Sequence, residues 1–177
     1  MVAKLYQTSN KELFSKYLNP VFIESGTYYG DGVQAALDAG FKTVYSIELD
    51  GKLYLHCEDR FKDNENVHII FGDSHLELDN FLSEINSPVT FWLDGHWAGD
   101  GTSRGKYESP LVQELEAIGR HHIKSHTILI DDLRCWNKDV QGFDREMLSK
   151  ACLQINPEYK ISFTKGYIEN DILIAKT

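Results

Sequence analysis

Val21-Phe22-Ile23-Glu24-Ser25-Gly26-Thr27-Tyr28-Tyr29-Gly30-Asp31-Gly32 runs from three apolar residues into an acid and then into glycines spaced Gly-x-x-x-Gly-x-Gly. A short apolar run bounded by a turn signal reads as a buried strand. Gly32 to Ala39 reads as a helix that stops at Gly40. Glycines at such a strand–helix junction let the chain turn tightly and let a ligand approach the backbone. The helix that follows aims its N-terminal amides into the same space.

The alternation continues outward in both directions. Upstream, Lys11 to Leu18 reads as a short amphipathic helix closed by Asn19-Pro20. Downstream come strands Thr43 to Leu49, Val67 to Phe71, Val89 to Leu93 and Thr127 to Ile130. Between and after them lie helices Lys52 to Phe61, His75 to Ile85, Leu111 to Gly119 (with Pro110 as its first residue) and Phe143 to Gln154. Two last β runs, Lys160 to Thr164 and Asp171 to Ala175, have no helix between them and predict an antiparallel hairpin. The expectation is an α/β fold: a Rossmann-like, doubly wound, mostly parallel seven-stranded sheet with a C-terminal antiparallel hairpin. Repeats, low-complexity tracts and linkers are missing from the sequence, so residues 1–177 read as one domain.

Composition narrows the partners. Hydrophobic residues make up 42% of the 177 and charged residues 25%, ordinary for a globular protein. The net charge of −9 argues against a nucleic-acid backbone as partner. No run approaches the ~20 apolar residues of a membrane span, and Met1 to Asn10 has no signal-peptide pattern. Cys57, Cys135 and Cys152 are odd in number and far apart, which reads as separate reduced thiols in a cytoplasmic protein. Oligomeric state is not encoded in any pattern visible here.

In an open α/β sheet, ligands bind outside the carboxyl ends of the strands. Here each parallel strand ends in polar residues. Glu24 heads the glycine turn, with Gly26, Thr27, Tyr28, Gly30 and Gly32 as its cofactor-facing members. Glu48, after the second strand, is placed to accept hydrogen bonds from two ribose hydroxyls. Asp73 and Ser74, in Gly72-Asp73-Ser74-His75, are short polar groups for an adenine amino group, or helix caps. Asp94 follows the fourth strand and Asp131-Asp132 the fifth. Three carboxylates converging there need a positive partner, and oxygen-only ligation suits magnesium, or manganese in its place.

The glycine spacing also occurs in NAD(P)-binding short-chain dehydrogenases. Those enzymes use Tyr-x-x-x-Lys, and no tyrosine here has a lysine four positions on. An acid at Glu24 would repel a pyrophosphate and suits a cofactor with a cationic end.

The succession Glu24 to Gly32, Ile47-Glu48-Leu49-Asp50, Gly72-Asp73-Ser74, Leu93-Asp94 and Asp131-Asp132 resembles the class I S-adenosylmethionine-dependent methyltransferases over essentially the whole chain. Within them it is similar to metal-dependent O-methyltransferases of the catechol type and of the sugar type acting on macrolide and aminocoumarin sugars. The resemblance implies S-adenosylmethionine as cofactor and Asp94, Asp131 and Asp132 as ligands of Mg2+ or Mn2+. In the sugar type, Asp-Gly-Asp after strand four carries the proposed base on its second Asp. This chain has Asp94-Gly95-His96, so His96 falls on that position, with Asp94 beside it as the other catalytic residue.

The implied reaction is methylation of a hydroxyl on a sugar, glycan or other vicinal diol, with the metal as Lewis acid and His96 as base. Two alternatives stand beside it: a metal-independent N- or carboxyl methyltransferase, and an NAD(P)-binding oxidoreductase. His75 is the next candidate base, while His121-His122 at a helix end reads as solvated. The polar loop with Asp100, Arg104, Lys106, Tyr107 and Glu108 suits a hydroxyl-rich acceptor. Trp97 and Trp136 are candidates to stack on a sugar ring or to pack, and Tyr28 to cover the cofactor's methionine part.

Overall fold

Val89–Leu93 (β4) reads Val-Thr-Phe-Trp-Leu, and all five of its residues are buried. A strand buried on both faces needs apolar layers above and below it, and this one lies mid-sheet. The computed structural model describes residues 8–95, 105–106, 109–136 and 143–177. Its strands are β1 (Val21–Ser25), β2 (Thr43–Glu48), β3 (Val67–Phe71), β4, β5 (Thr127–Ile130), β6 (Lys160–Thr164) and β7 (Ile172–Lys176). They form one seven-stranded sheet in the order β3-β2-β1-β4-β5-β7-β6. Five strands run parallel, and β7 pairs antiparallel with both β5 and β6. The doubly wound sheet with a terminal hairpin is therefore as expected.

Helices α1 (Lys11–Phe14), α2 (Asp31–Ala39), α3 (Gly51–Phe61), α4 (Ser74–Leu82), α5 (Leu111–Arg120) and α6 (Arg145–Ile155) cover the two faces. Neighbouring residues on a strand point to opposite faces, and the core divides accordingly. Ile23, Phe91, Ile128 and Ile130 join Leu78, Leu115 and Leu148 in one layer. Phe22, Trp92 and Leu129 join Phe14, Val33 and Phe61 in the other. Gly40 ends α2 in the left-handed conformation at φ 107°, the stop its sequence position predicts. Strand order reverses at β1, which lies between β2 and β4, and that placement directs a ligand to the carboxyl ends of these strands.

Some boundaries differ from the sequence reading. The first helix ends at Phe14 rather than Leu18, and Tyr17 instead presents its carbonyl to the Thr90 hydroxyl. Helix α4 ends at Leu82, and Ser83 to Ile85 continue in tighter single turns. Pro110 is the cap before α5 rather than its first residue. None of the helices among the described residues is long and apolar enough to cross a membrane. The three cysteines are free thiols.

His121 is a correction. It is 5% exposed rather than solvated, whereas His122 is exposed. At the amino ends of the strands, the Val89 amide donates to His126 Nδ1 at 3.1 Å. That bond fixes the proton of neutral His126 on Nε2, which meets His121 Nδ1 at 2.9 Å, and His121 Nε2 in turn donates to the Ile85 carbonyl at 2.9 Å. Both rings are held neutral. Burial lowers the His126 pKa to about 4, with His121 and the nearby Lys124 and His122 adding to the effect.

A histidine that binds its proton more weakly when folded stabilises the fold fully above its unfolded pKa, and that contribution fades as pH falls toward the folded value. The free-energy advantage of the wild type over His126→Phe should therefore shrink by about 2 kcal/mol between pH 7.5 and pH 5. Denaturant titrations of the two proteins at each pH measure this. A pH-independent difference would show that the ring is not held neutral.

Candidate functional site at the carboxyl ends of the strands

Glu24 lies at the carboxyl end of β1 and is 2% exposed. Its Oε2 accepts from Ser46 Oγ at 2.6 Å, and Ser46 Oγ lies 2.7 Å from Thr27 Oγ1. Thr27 is thereby the donor to Ser46, so a hydroxyl relay joins the glycine turn to the acid. A Cβ at Gly32 would lie 1.8 Å from Glu24 Oε1, so only glycine lets the first turn of α2 rest on this carboxyl. Burial pushes the Glu24 pKa up to about 8; the Ser46 bond opposes this, and the carboxylates of Asp94, Glu48 and Asp31 add to it.

The turn itself is pinned by Glu48 at the end of β2. Tyr28 has φ 50°, and its amide donates to Glu48 Oε2 at 2.8 Å. The Asp50 amide donates to Glu48 Oε1, also at 2.8 Å. Each oxygen keeps a second lone pair, which is what two ribose hydroxyls would use. Burial raises the pKa of Glu48 as well. The Tyr28 ring is 41% exposed and meets Tyr29 edge-on. Gly26, at φ 83°, approaches the Asp94 backbone so closely that a Cβ would lie 3.0 Å from its carbonyl oxygen. Gly30 is the left-handed cap of α2.

Asp73 caps α4 by accepting from the His75 amide, and His75 Nδ1 lies 2.8 Å from Asp73 Oδ1. The Ser74 hydroxyl donates to Glu114 Oε1 at 2.6 Å. Glu114, on α5, is 1% exposed and was not anticipated. It also bonds Ser25, whose Oγ accepts from the Gly95 amide at 3.2 Å. One buried carboxyl thus ties the ends of β1 and β4 to the start of α4. Burial raises its pKa to about 7, against the Ser74 and Ser25 bonds. The signal was present: Leu111, Glu114, Leu115 and Ile118 share the i, i+3, i+4, i+7 face that packs inward. Gly105 also approaches the turn after β3, since a Cβ there would lie 2.7 Å from Asp73 Oδ2.

The acids after β5 have Asp171, just before β7, as a neighbour. Asp131, Asp132 and Asp171 bring carboxylate oxygens within 4.8 Å of one another, and Asp94 is not in that group. Asp131 Oδ1 accepts from the Asp132 amide at 2.8 Å, and its Oδ2 accepts from Thr8. Burial raises the Asp131 pKa, with Asp94 and Asp132 reinforcing it. Asp132 and Asp171 both accept from Arg134 Nη1. Asp171, fully buried, also accepts from the Tyr167 and Arg134 amides at 3.0 and 2.9 Å. Magnesium demands several unencumbered oxygens in a near-octahedral shell. Arg134 already bonds two of the three, Asp132 and Asp171, so this group as it stands does not fit that ion. Trp136 packs on Phe143 and donates to the Asp131 carbonyl. His96, Trp97, Asp100, Arg104, Tyr107 and Glu108 lie outside the described residues.

Gly32→Ala should cost roughly 1–3 kcal/mol of stability through the clash with Glu24, read by denaturant unfolding. Adding Glu24→Ala to that variant should recover part of the loss. A neutral Gly32→Ala would contradict the close approach.

No protein-family model matches the chain. The probable ribosomal RNA small subunit methyltransferase A of Methanococcoides burtonii is 38% identical to it over 97 residues, 50% of this chain. The chain thus spans about a third of that relative's length, 35%. Among solved structures, the Bacillus cereus O-methyltransferase in complex with SAH superimposes with a TM-score of 0.63 at 12% identity, over 94% of this chain and 78% of that one. The SAH-bound Podospora anserina methyltransferase PaMTH1 gives 0.62 at 12% identity, over 94% and 75%. At such identities the likeness speaks for architecture, and the strand order speaks for the same one: the chain has the class I methyltransferase fold.

Proposed function

We propose that the chain is an S-adenosylmethionine-dependent O-methyltransferase that acts on a hydroxyl of a sugar, glycan or other vicinal-diol acceptor. The observation that carries this reading is Glu24: a buried carboxyl at the head of the glycine turn that bonds the Ser46 hydroxyl and has the carboxyls of Asp94, Glu48 and Asp31 around it. An ammonium or sulfonium group brought beside it would relieve the cost of its charge. A pyrophosphate would aggravate that cost, which disfavours the dinucleotide reading.

When bound, S-adenosylmethionine supplies a methyl group on a positively charged sulfur. In this reading Glu24, Gly26, Thr27, Tyr28, Gly30 and Gly32 form the methionine side of the pocket. Glu48 accepts from the ribose hydroxyls, and Asp73 with the Ser74 backbone faces the adenine. Asp94 stands at the β4 end, where the methyl would be presented. His96, two residues on, is assigned as the base that takes the acceptor hydroxyl proton while the oxygen attacks the methyl carbon and the carbon–sulfur bond breaks. Positioning of the two reactants supplies most of the acceleration. Metal assistance does not enter this mechanism, because the strand-five acids are engaged as described above.

The relative's name assigns ribosomal RNA to that protein as acceptor. The net charge of −9 makes a polar, uncharged acceptor the better fit for this chain. Release of S-adenosylhomocysteine over panels of sugars, catechols and RNA separates these classes.

Cofactor binding has a proton signature. A cationic group beside Glu24 lowers a pKa that starts near 8, so binding at pH 7 expels protons. Calorimetric titration with S-adenosylhomocysteine should give saturable binding whose apparent enthalpy differs between phosphate and Tris buffers. Glu24→Gln should abolish the difference. Absence of binding would sink the methyltransferase reading, and binding without buffer dependence would remove Glu24 from its role.

A further inference from the structure

Arg134 follows directly on the acids of β5, in a single 3-10 turn at Leu133–Cys135. Its Nη1 donates to Asp132 Oδ1 and to Asp171 Oδ2, and its own amide donates to Asp171 Oδ1 at 2.9 Å. The guanidinium carbon lies 4.8 Å from the centre of the Tyr167 ring. The Leu133 amide adds a bond of 2.8 Å to the Asp171 carbonyl, closing the β5 end onto the start of β7. Asp132 is held at φ 57°, a left-handed conformation that turns its carboxylate toward Arg134.

Three acids within coordinating reach of one another would ordinarily call for a divalent ion. Here a monovalent, permanently charged group already bonds two of them. A guanidinium does not deprotonate to make room for a metal. To admit one among Asp131, Asp132 and Asp171, Arg134 would have to leave Asp171, which is 0% exposed and would then be a buried carboxylate without its charged partner. Its stacking on Tyr167 would be lost as well.

We propose that Arg134 is the resident cation of this acidic cluster, held through Asp132 and Asp171, so that this chain catalyses transfer without a divalent metal and uses Arg134 to position Asp132 and the β6–β7 turn beside the site. The proposal rests on the methyltransferase reading only for the word transfer; the occupancy of the acidic cluster by Arg134 stands independently. It separates this chain from the metal-dependent O-methyltransferases that its strand-end acids resemble.

Titration with Mn2+, followed by electron paramagnetic resonance, tests it on the intact protein without cofactor. The wild type and Arg134→Lys should show no saturable binding at millimolar metal. Arg134→Met should bind Mn2+, and its lowered melting midpoint should rise when Mn2+ is added. Saturable wild-type binding that disappears in Asp132→Asn would overturn the proposal, and so would Arg134→Met that folds and takes up no metal. If Arg134→Met does not fold, the wild-type and Asp132→Asn titrations decide alone. Failure to bind S-adenosylhomocysteine would refute the methyltransferase reading while leaving the metal titration to be read as before.

Discussion

The contact between the Glu24 carboxyl and the backbone at Gly32 sets the geometry on which the rest of the site depends. It fixes how near α2 can come to β1, and so where the helix N-terminus opens. Ser46 and Thr27 complete the contact from β2 and from the turn. Glu48 then takes the Tyr28 amide and locks the turn's left-handed residue. A side chain at position 32 would meet the Glu24 carboxyl, which would have to shift at the expense of its bond to Ser46.

Carboxyl groups crowd this end of the sheet: Glu24, Glu48, Asp94, Glu114 and Asp131 all lie at or under the strand ends. Each of the four buried ones has its pKa raised, with burial as the first cause. The protein meets the electrostatic cost in three ways. Hydroxyls and amides bond the carboxyls, raised pKa values let protons remain, and Arg134 supplies a fixed charge where Asp132 and Asp171 meet. On the Glu24 side, Arg60 bonds Asp31 at the rim of the glycine turn, while Glu24 itself bonds the Ser46 hydroxyl. The opposite end of the sheet carries the reverse arrangement, two histidines kept neutral between backbone groups.

Much of this was legible in the residues themselves. Strands β3, β4, β5 and β6 keep the bounds read from the sequence; β4 and β5 are buried apolar runs bounded by Pro88, Asp94, His126 and Asp131. Gly40 stops α2 as read, since its left-handed conformation is a local property. The spacing of Glu114 with Leu111, Leu115 and Ile118 places it on the inward face of its helix. The pairing of Arg134 with Asp171 was not readable. The two are 37 positions apart, and only the antiparallel return of β7 beside β5 brings them together. The same holds for His121, whose partners come from the end of α4's trailing turn and the entry to β5. An acidic pair after strand five looks alike in sequence whether a metal or an arginine answers it.

The central claim is that a nucleoside cofactor with a cationic end binds across the tips of β1, β2 and β3. Amide hydrogen exchange with and without S-adenosylhomocysteine tests it most directly, because it reports where along the chain the ligand sits. The account predicts slower exchange in residues 25–33, 48–51 and 72–75, with the β6–β7 hairpin unchanged. Protection confined to the apolar groove between α5 and α6, lined by Val112, Leu115, Met147 and Ala151, or no protection at all, would contradict it.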